Sequence, residues 1–112
     1  MRYAVPVAGG RLATHFGHCE AFALFDVDDS TNEIVGRETV ASPGHQPGFL
    51  PGWLAEQGAS AIIAGGMGSR AVGLFEENRM QVILGAPEGE PEDVVKAFLT
   101  GTLAVGENVC DH

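Results

Sequence analysis

The sequence predicts an α/β fold, one mixed sheet of about five strands with helices packed on its faces. Two observations predict it. The N-terminal part carries β-rich runs, two of them joined by a short polar turn as in a hairpin. The C-terminal part alternates helix, strand, helix, strand, helix, and its two strand candidates are almost wholly apolar, as strands covered on both faces are. A chain of 112 residues corresponds to one domain, 1–112, long enough to bury about two thirds of its unfolded surface.

The elements follow in order. "RYAVPV" (2–7) opens the fold as a strand, and Pro6, which lacks an amide donor, points to a strand end or an edge-facing position. "EAFALFDVD" (20–28) alternates, carries Phe22 and Phe25, and reads as a second strand. The turn cluster 28–32 joins it to a third, "EIVGRETV" (33–40). A Pro- and Gly-rich loop (41–53) runs into a helix over 49–57, with Pro51 tolerable only in its first turn and Gly58 placed to stop it. "ASAIIAGG" (59–66) and "MQVILG" (80–85) are the buried strands. Between them 68–79 has helical spacing at Ala71, Val72, Leu74 and Phe75, so the unit is a right-handed parallel crossover. The last helix, 90–101, has acids in its first turn, Lys96 late and Gly101 after it. The tail 102–112 adds at most a short extended piece.

Composition excludes several classes. The net charge is −9, and six basic residues scattered from Arg2 to Lys96 form no stripe, so neither nucleic acid nor an anionic membrane surface is a partner. No run approaches the ~20 apolar residues of a membrane span, and no signal segment opens the chain. Two cysteines are too few for a disulfide framework. The expectation is a cytoplasmic protein.

Two stretches carry chemistry. In "AIIAGGMGSRA" (61–71) a buried strand ends, three glycines fall within four positions and a helix begins. Free amides at a helix start bind anions, and glycines let a ligand approach the backbone. Ser69 can cap or donate, and Arg70 adds positive charge. Gly66 to Ala71 fits G-x-G-x-x-A, but the chain is too short for two mononucleotide halves. The plainer reading is a glycine turn for close helix–strand packing. In "ATHFGHCEAF" (13–22), His15, His18 and Cys19 could supply soft metal ligands, with His45, Cys110 and His112 as further candidates for a four-ligand site. The spacing matches no zinc pattern, and a turn with Phe16 packed inward explains it as well. Phe49 and Trp53 serve either the core or an apolar rim. No catalytic constellation appears, so no enzyme activity is expected.

The order of these segments resembles the dinitrogenase iron–molybdenum cofactor-binding family over nearly the whole chain. The resemblance rests on "AVPVAGGRLATHFGHCEAFALFDVD", on "GHQPGFLPGWLAEQGASAIIAGGMGSRAVGLFEENRMQVILG" and on "ENVCDH". It is closest to the small stand-alone members, one of which carries a molybdenum–copper sulfide cluster. It implies a ribonuclease-H-like, three-layer fold without nuclease chemistry. It also implies non-enzymatic binding, storage or carriage of a non-covalently held metal–sulfur cluster, of molybdenum–copper sulfide or iron–molybdenum type, with cofactor-assembly or other cytoplasmic proteins as partners. Such a cluster is a polyanion. The backbone of Gly65, Gly66, Met67, Gly68 and Ser69, with Arg70, Arg11 and the histidines His15, His18 and His45, could form its positive concavity. Thr14, Phe16, Gly17 and Trp53 complete the candidate set, and Cys19 is the candidate metal ligand. The rival readings are a small-anion or nucleotide module using the Gly65–Arg70 loop and a protein-docking Phe/Trp patch.

Overall fold

The computed structural model describes residues 1–44 and 48–103, with His18 described by its backbone alone. His45, Cys110, His112 and the tail from 104 lie outside the described residues. One sheet holds six strands: β1 (Arg2–Ala8), β2 (Arg11–Leu12), β3 (Ala21–Asp28), β4 (Glu33–Ala41), β5 (Ala61–Ile63) and β6 (Gln81–Ile83). The helices are α1 (Phe49–Glu56), α2 (Ser69–Glu77) and α3 (Pro91–Leu99). The sheet order is β4-β3-β1-β5-β6, with β2 paired to β1 alone. β3 runs antiparallel to β1 and β4 to β3, whereas β5 and β6 run parallel to β1. The mixed α/β architecture is therefore as expected.

Alternation along β1 creates the layers. Tyr3, Val5 and Val7 join Phe25, Ala61, Ile63 and the α3 residues Val94 and Val95 in one buried cluster. Ala4 faces the other way, with Phe22, Leu24, Ile62, the α1 residues Leu50 and Leu54, and Phe75 of α2. Helices thus cover both faces, which is why β5 reads as an unbroken apolar run.

The sheet has a sixth strand that the sequence reading did not separate. Gly9 and Gly10 adopt φ of 62° and 78°, and Ala8 pairs with Arg11 across them. Two consecutive left-handed residues are what a type I′ hairpin turn requires. Pro6 has the edge-facing position that a missing amide donor calls for, although on an interior strand. β1 is an interior strand, and Pro6 pairs with Phe22 of β3. On its other side the parallel register with β5 covers only Tyr3 and Ala4, so Pro6 lies beyond it. Its carbonyl accepts from Ala13 at 2.8 Å.

At the opposite end, Arg2 ties four elements together. Its guanidinium donates to both oxygens of Asp26 on β3 at 2.8 and 3.1 Å and to the Gln57 carbonyl after α1 at 3.0 Å. It also lies 3.7 Å from Glu38 on β4. The hydrogen bond from Arg2 holds the Asp26 carboxyl below the usual carboxylate range.

Candidate anion-binding site

Because β1, β5 and β6 are parallel, their C-terminal ends open on one side of the sheet, where open α/β sheets form a crevice. Three segments meet there and are laced by backbone hydrogen bonds. Phe16 donates to Gly66 at 2.9 Å, and His15 forms a parallel bridge with Gly66. Gly85 donates to Gly65 at 2.8 Å, and Leu12 donates to Gly89 at 2.8 Å. Gly65 is required by this closeness. A Cβ there would sit 2.8 Å from the Thr14 carbonyl oxygen and 3.3 Å from that of Ala13. The glycine loop is therefore packed against the 13–16 turn, as both the packing and the ligand readings need.

Past the loop, α2 starts at Ser69 with Gly68 as its N-cap and no side-chain cap. Its charges run against its dipole. No acid lies in the first turn and no base in the last; Arg70 sits at the positive end, and Glu76 and Glu77 close the negative end. α3 shows the conventional arrangement. Glu90 caps it by accepting from Glu92 N at 3.1 Å, Glu92 and Asp93 occupy its first turn, and Lys96 lies late, paired with Glu92 at 3.0 Å. Arg2, Arg11, Arg37 and Lys96 each have a carboxylate within 4 Å, whereas Arg70 and Arg79 have none among the described residues, and of these two Arg70 stands at a helix start. Arg70 and Ser69 are exposed. An exposed, unpaired cation beside open helix amides is an anion-binding arrangement.

Arg11 and Thr14 turn to a residue the sequence reading did not single out. Glu88 lies 3.6 Å from Arg11 and accepts from the Thr14 hydroxyl at 3.3 Å. With Ala8, Leu12, Ala13 and His15, Thr14 and Glu88 line a cavity of about 260 Å³. A larger cavity of about 410 Å³ lies elsewhere, between the start of β4 and α3. Its walls hold none of the candidate residues, so size alone does not mark the site.

Several candidates point inward. Phe16 packs edge-on to Phe75 at 5.5 Å and tilted on Phe22 at 6.1 Å, and Trp53 lies 5.8 Å from Phe22. Phe16, Met67 and Cys19 all belong to the buried cluster under α1 and α2, with Trp53 partly buried against it. Phe49 remains exposed. Burial pushes the Cys19 thiol up to about 11, whereas metal ligation and alkylation both use the thiolate. Cys19 is therefore expected to react with iodoacetamide at pH 7.5 at least a hundredfold more slowly than in denaturant, read by mass spectrometry. Reaction at the denatured rate would show that it is accessible as thiolate.

The structure thus brings Thr14, His15 and Phe16 against Gly65 and Gly66, with Ser69 and Arg70 directly following. Arg11 goes to Glu88, Trp53 to the aromatic layer, and Gly17 and the His18 backbone lie in the 3-10 turn Phe16–His18. No group of three His, Cys, Asp or Glu side chains converges among the described residues as a metal ion would need.

The sequence model described as dinitrogenase iron-molybdenum cofactor matches residues 1–101. The chain belongs to this family. The uncharacterized protein MJ0580 of Methanocaldococcus jannaschii is 29% identical over 106 residues, 92% of this chain and 89% of that protein. The crystal structure of PH0822 superposes with a TM-score of 0.87 at 29% identity, covering 96% of both chains. The apo orange protein of Desulfovibrio gigas superposes with a TM-score of 0.71 at 23% identity, over 96% of this chain and 93% of that one, a likeness of fold alone. The dinitrogenase cofactor family resembled by the sequence is therefore the one to which the chain belongs. Among the described residues, no helix is long and apolar enough to cross a membrane.

Proposed function

We propose that this chain is a single-domain, cytoplasmic carrier that binds an anionic metal–sulfur cluster without performing chemistry on it. The observation that carries the reading is the start of α2, where Arg70, without an ion-pair partner among the described residues, stands at the positive end of a helix with no side-chain cap, next to glycines packed on the 13–16 turn. A cation placed there is unfavourable by about 0.3–1 kcal/mol unless an anion sits nearby. Family membership supports a cluster as that anion, of molybdenum–copper sulfide or iron–molybdenum type. Such a cargo brings its own sulfide, so thiolate from Cys19 is not needed, and its source or destination is a cofactor-assembly or other cytoplasmic protein. With β2 set aside, the strands run 3-2-1-4-5 across the sheet, with the second antiparallel to the other four, which supports the ribonuclease-H-like reading.

Reconstitution with tetrathiomolybdate and copper tests the proposal. A visible charge-transfer band should follow the protein through gel filtration, and Arg70→Gln should weaken its retention about tenfold, the ~1.4 kcal/mol of one charge-assisted contact. Absence of a coloured complex, with ATP or NAD shifting the amides of 65–71, would instead favour a nucleotide module on the same loop.

A further inference from the structure

One carboxylate holds two of the groups an anion would need. Glu88 Oε1 is 3.6 Å from Arg11 Nε, and its Oε2 accepts from Thr14 Oγ1 at 3.3 Å. Thr14 and Glu88 also line the 260 Å³ cavity beside His15. The chain around Glu88 is secured without these contacts, because Leu12 N donates to Gly89 O at 2.8 Å and Ala86 N to Ala64 O at 3.1 Å. The carboxylate can therefore leave Arg11 while its loop stays in place.

The ion pair itself is weak. Both side chains are more than half exposed, at 58% and 59%, and exposed pairs contribute little. A strong buried bridge would lock Arg11 permanently, and an absent one would leave a free cation on the rim. The neighbouring pair Arg37–Glu90 is different, because Arg37 also lies over the Phe25 ring at 5.2 Å and so has a second structural anchor. Arg11 has no contact of that kind among those described.

From this the geometry points to Glu88 as a built-in counter-ion, a latch that occupies Arg11 and Thr14 until an incoming polyanion displaces it. The inference rests on the reading that an anionic cluster binds at these strand ends, and it adds how the rim of that site is regulated. In the empty protein the latch satisfies Arg11 and the Thr14 hydroxyl. When a ligand of higher charge density arrives, the guanidinium and hydroxyl transfer to it and the carboxylate turns to water. Glu88 sets the threshold, because a ligand must be a better partner for Arg11 than a carboxylate is.

A double-mutant cycle tests the latch. Tetrathiomolybdate affinity is measured by calorimetry for the unmodified protein, Glu88→Gln, Arg11→Gln and the double variant. An ionic strength of 0.15 M restricts simple charge repulsion to about 8 Å. Glutamine keeps an acceptor for Thr14 and removes only the charge. Glu88→Gln should tighten binding about threefold while Arg11 is present, the size of one exposed pair, and should have no such effect in Arg11→Gln. Equal tightening in both backgrounds would make Glu88 a repulsive charge and overturn the latch, as would no tightening at all. If the protein binds tetrathiomolybdate and Arg70→Gln weakens it, but the cycle shows no coupling, the latch alone falls. If no variant binds it, the cluster-carrier reading falls and the latch with it.

Discussion

Replacing Phe75 by alanine should lower folding stability by about 3–5 kcal/mol, the range for truncating a fully buried aromatic. Phe75 is 0% exposed and meets Phe16 edge-on at 5.5 Å. Phe16 in turn tilts onto Phe22, and Phe22 onto Trp53. The rings form a continuous layer from α2 through the 3-10 turn to α1, so the cavity left by alanine has stiff walls that cannot readily collapse. Phe16 also begins the turn that holds His15 against Gly66. The loss should therefore appear both in the urea midpoint and in faster amide exchange at Phe16. Val35→Ala is the comparison, because Val35 is 67% exposed and should change stability by less than about 0.5 kcal/mol. A loss below about 1 kcal/mol for Phe75→Ala would mean that the aromatic layer is not a rigid support.

Gly65→Ala should cost about 1–3 kcal/mol, the range for overpacking a close-packed contact. The added carbon would meet the Thr14 carbonyl oxygen at 2.8 Å and the Ala13 carbonyl oxygen and Thr14 Cα at 3.3 Å. All three are backbone atoms, so no side chain can swing aside. The strain can be relieved only by separating the two walls of the crevice, which weakens the Phe16–Gly66 hydrogen bond. Cluster retention should then fall together with stability. Gly17→Ala provides the contrast, since a Cβ at Gly17 meets nothing within 4 Å. It should be nearly neutral in a urea titration. Equal effects at the two glycines would remove Gly65 as the contact that sets crevice width.

What the sequence disclosed depended on whether the signal was local. The last helix was legible because its cap acids, Lys96 and Gly101 sit within one short stretch, and the structure places it at Pro91–Leu99. The buried strands were legible because both faces demand apolar residues, although β5 and β6 are shorter than the apolar runs that contain them. β2 was missed because two residues are too few for any periodicity, and only the Gly9–Gly10 pair announced it. The site was less legible. Glu88 was not singled out, since nothing local says that residue 88 meets residues 11 and 14. The inward placement of Met67 and Cys19 depends on the turn geometry and on which helix lies below, and both are tertiary facts. The glycine loop was visible in the sequence, but its partner was not: the clash that explains Gly65 comes from Thr14, brought alongside by the sheet.

The His15–Gly66 bridge also bears on when the crevice can exist during folding. It joins positions half a chain apart, whereas the β1–β2 and β3–β4 hairpins close within a few residues. Loop-closure entropy favours the hairpins first and the parallel union of β1 with β5 afterwards. The crevice is then a product of the finished sheet, with no counterpart in the N-terminal half alone. A chain that stops short of Gly66 therefore has no such crevice, and on the carrier proposal it could hold no cargo there.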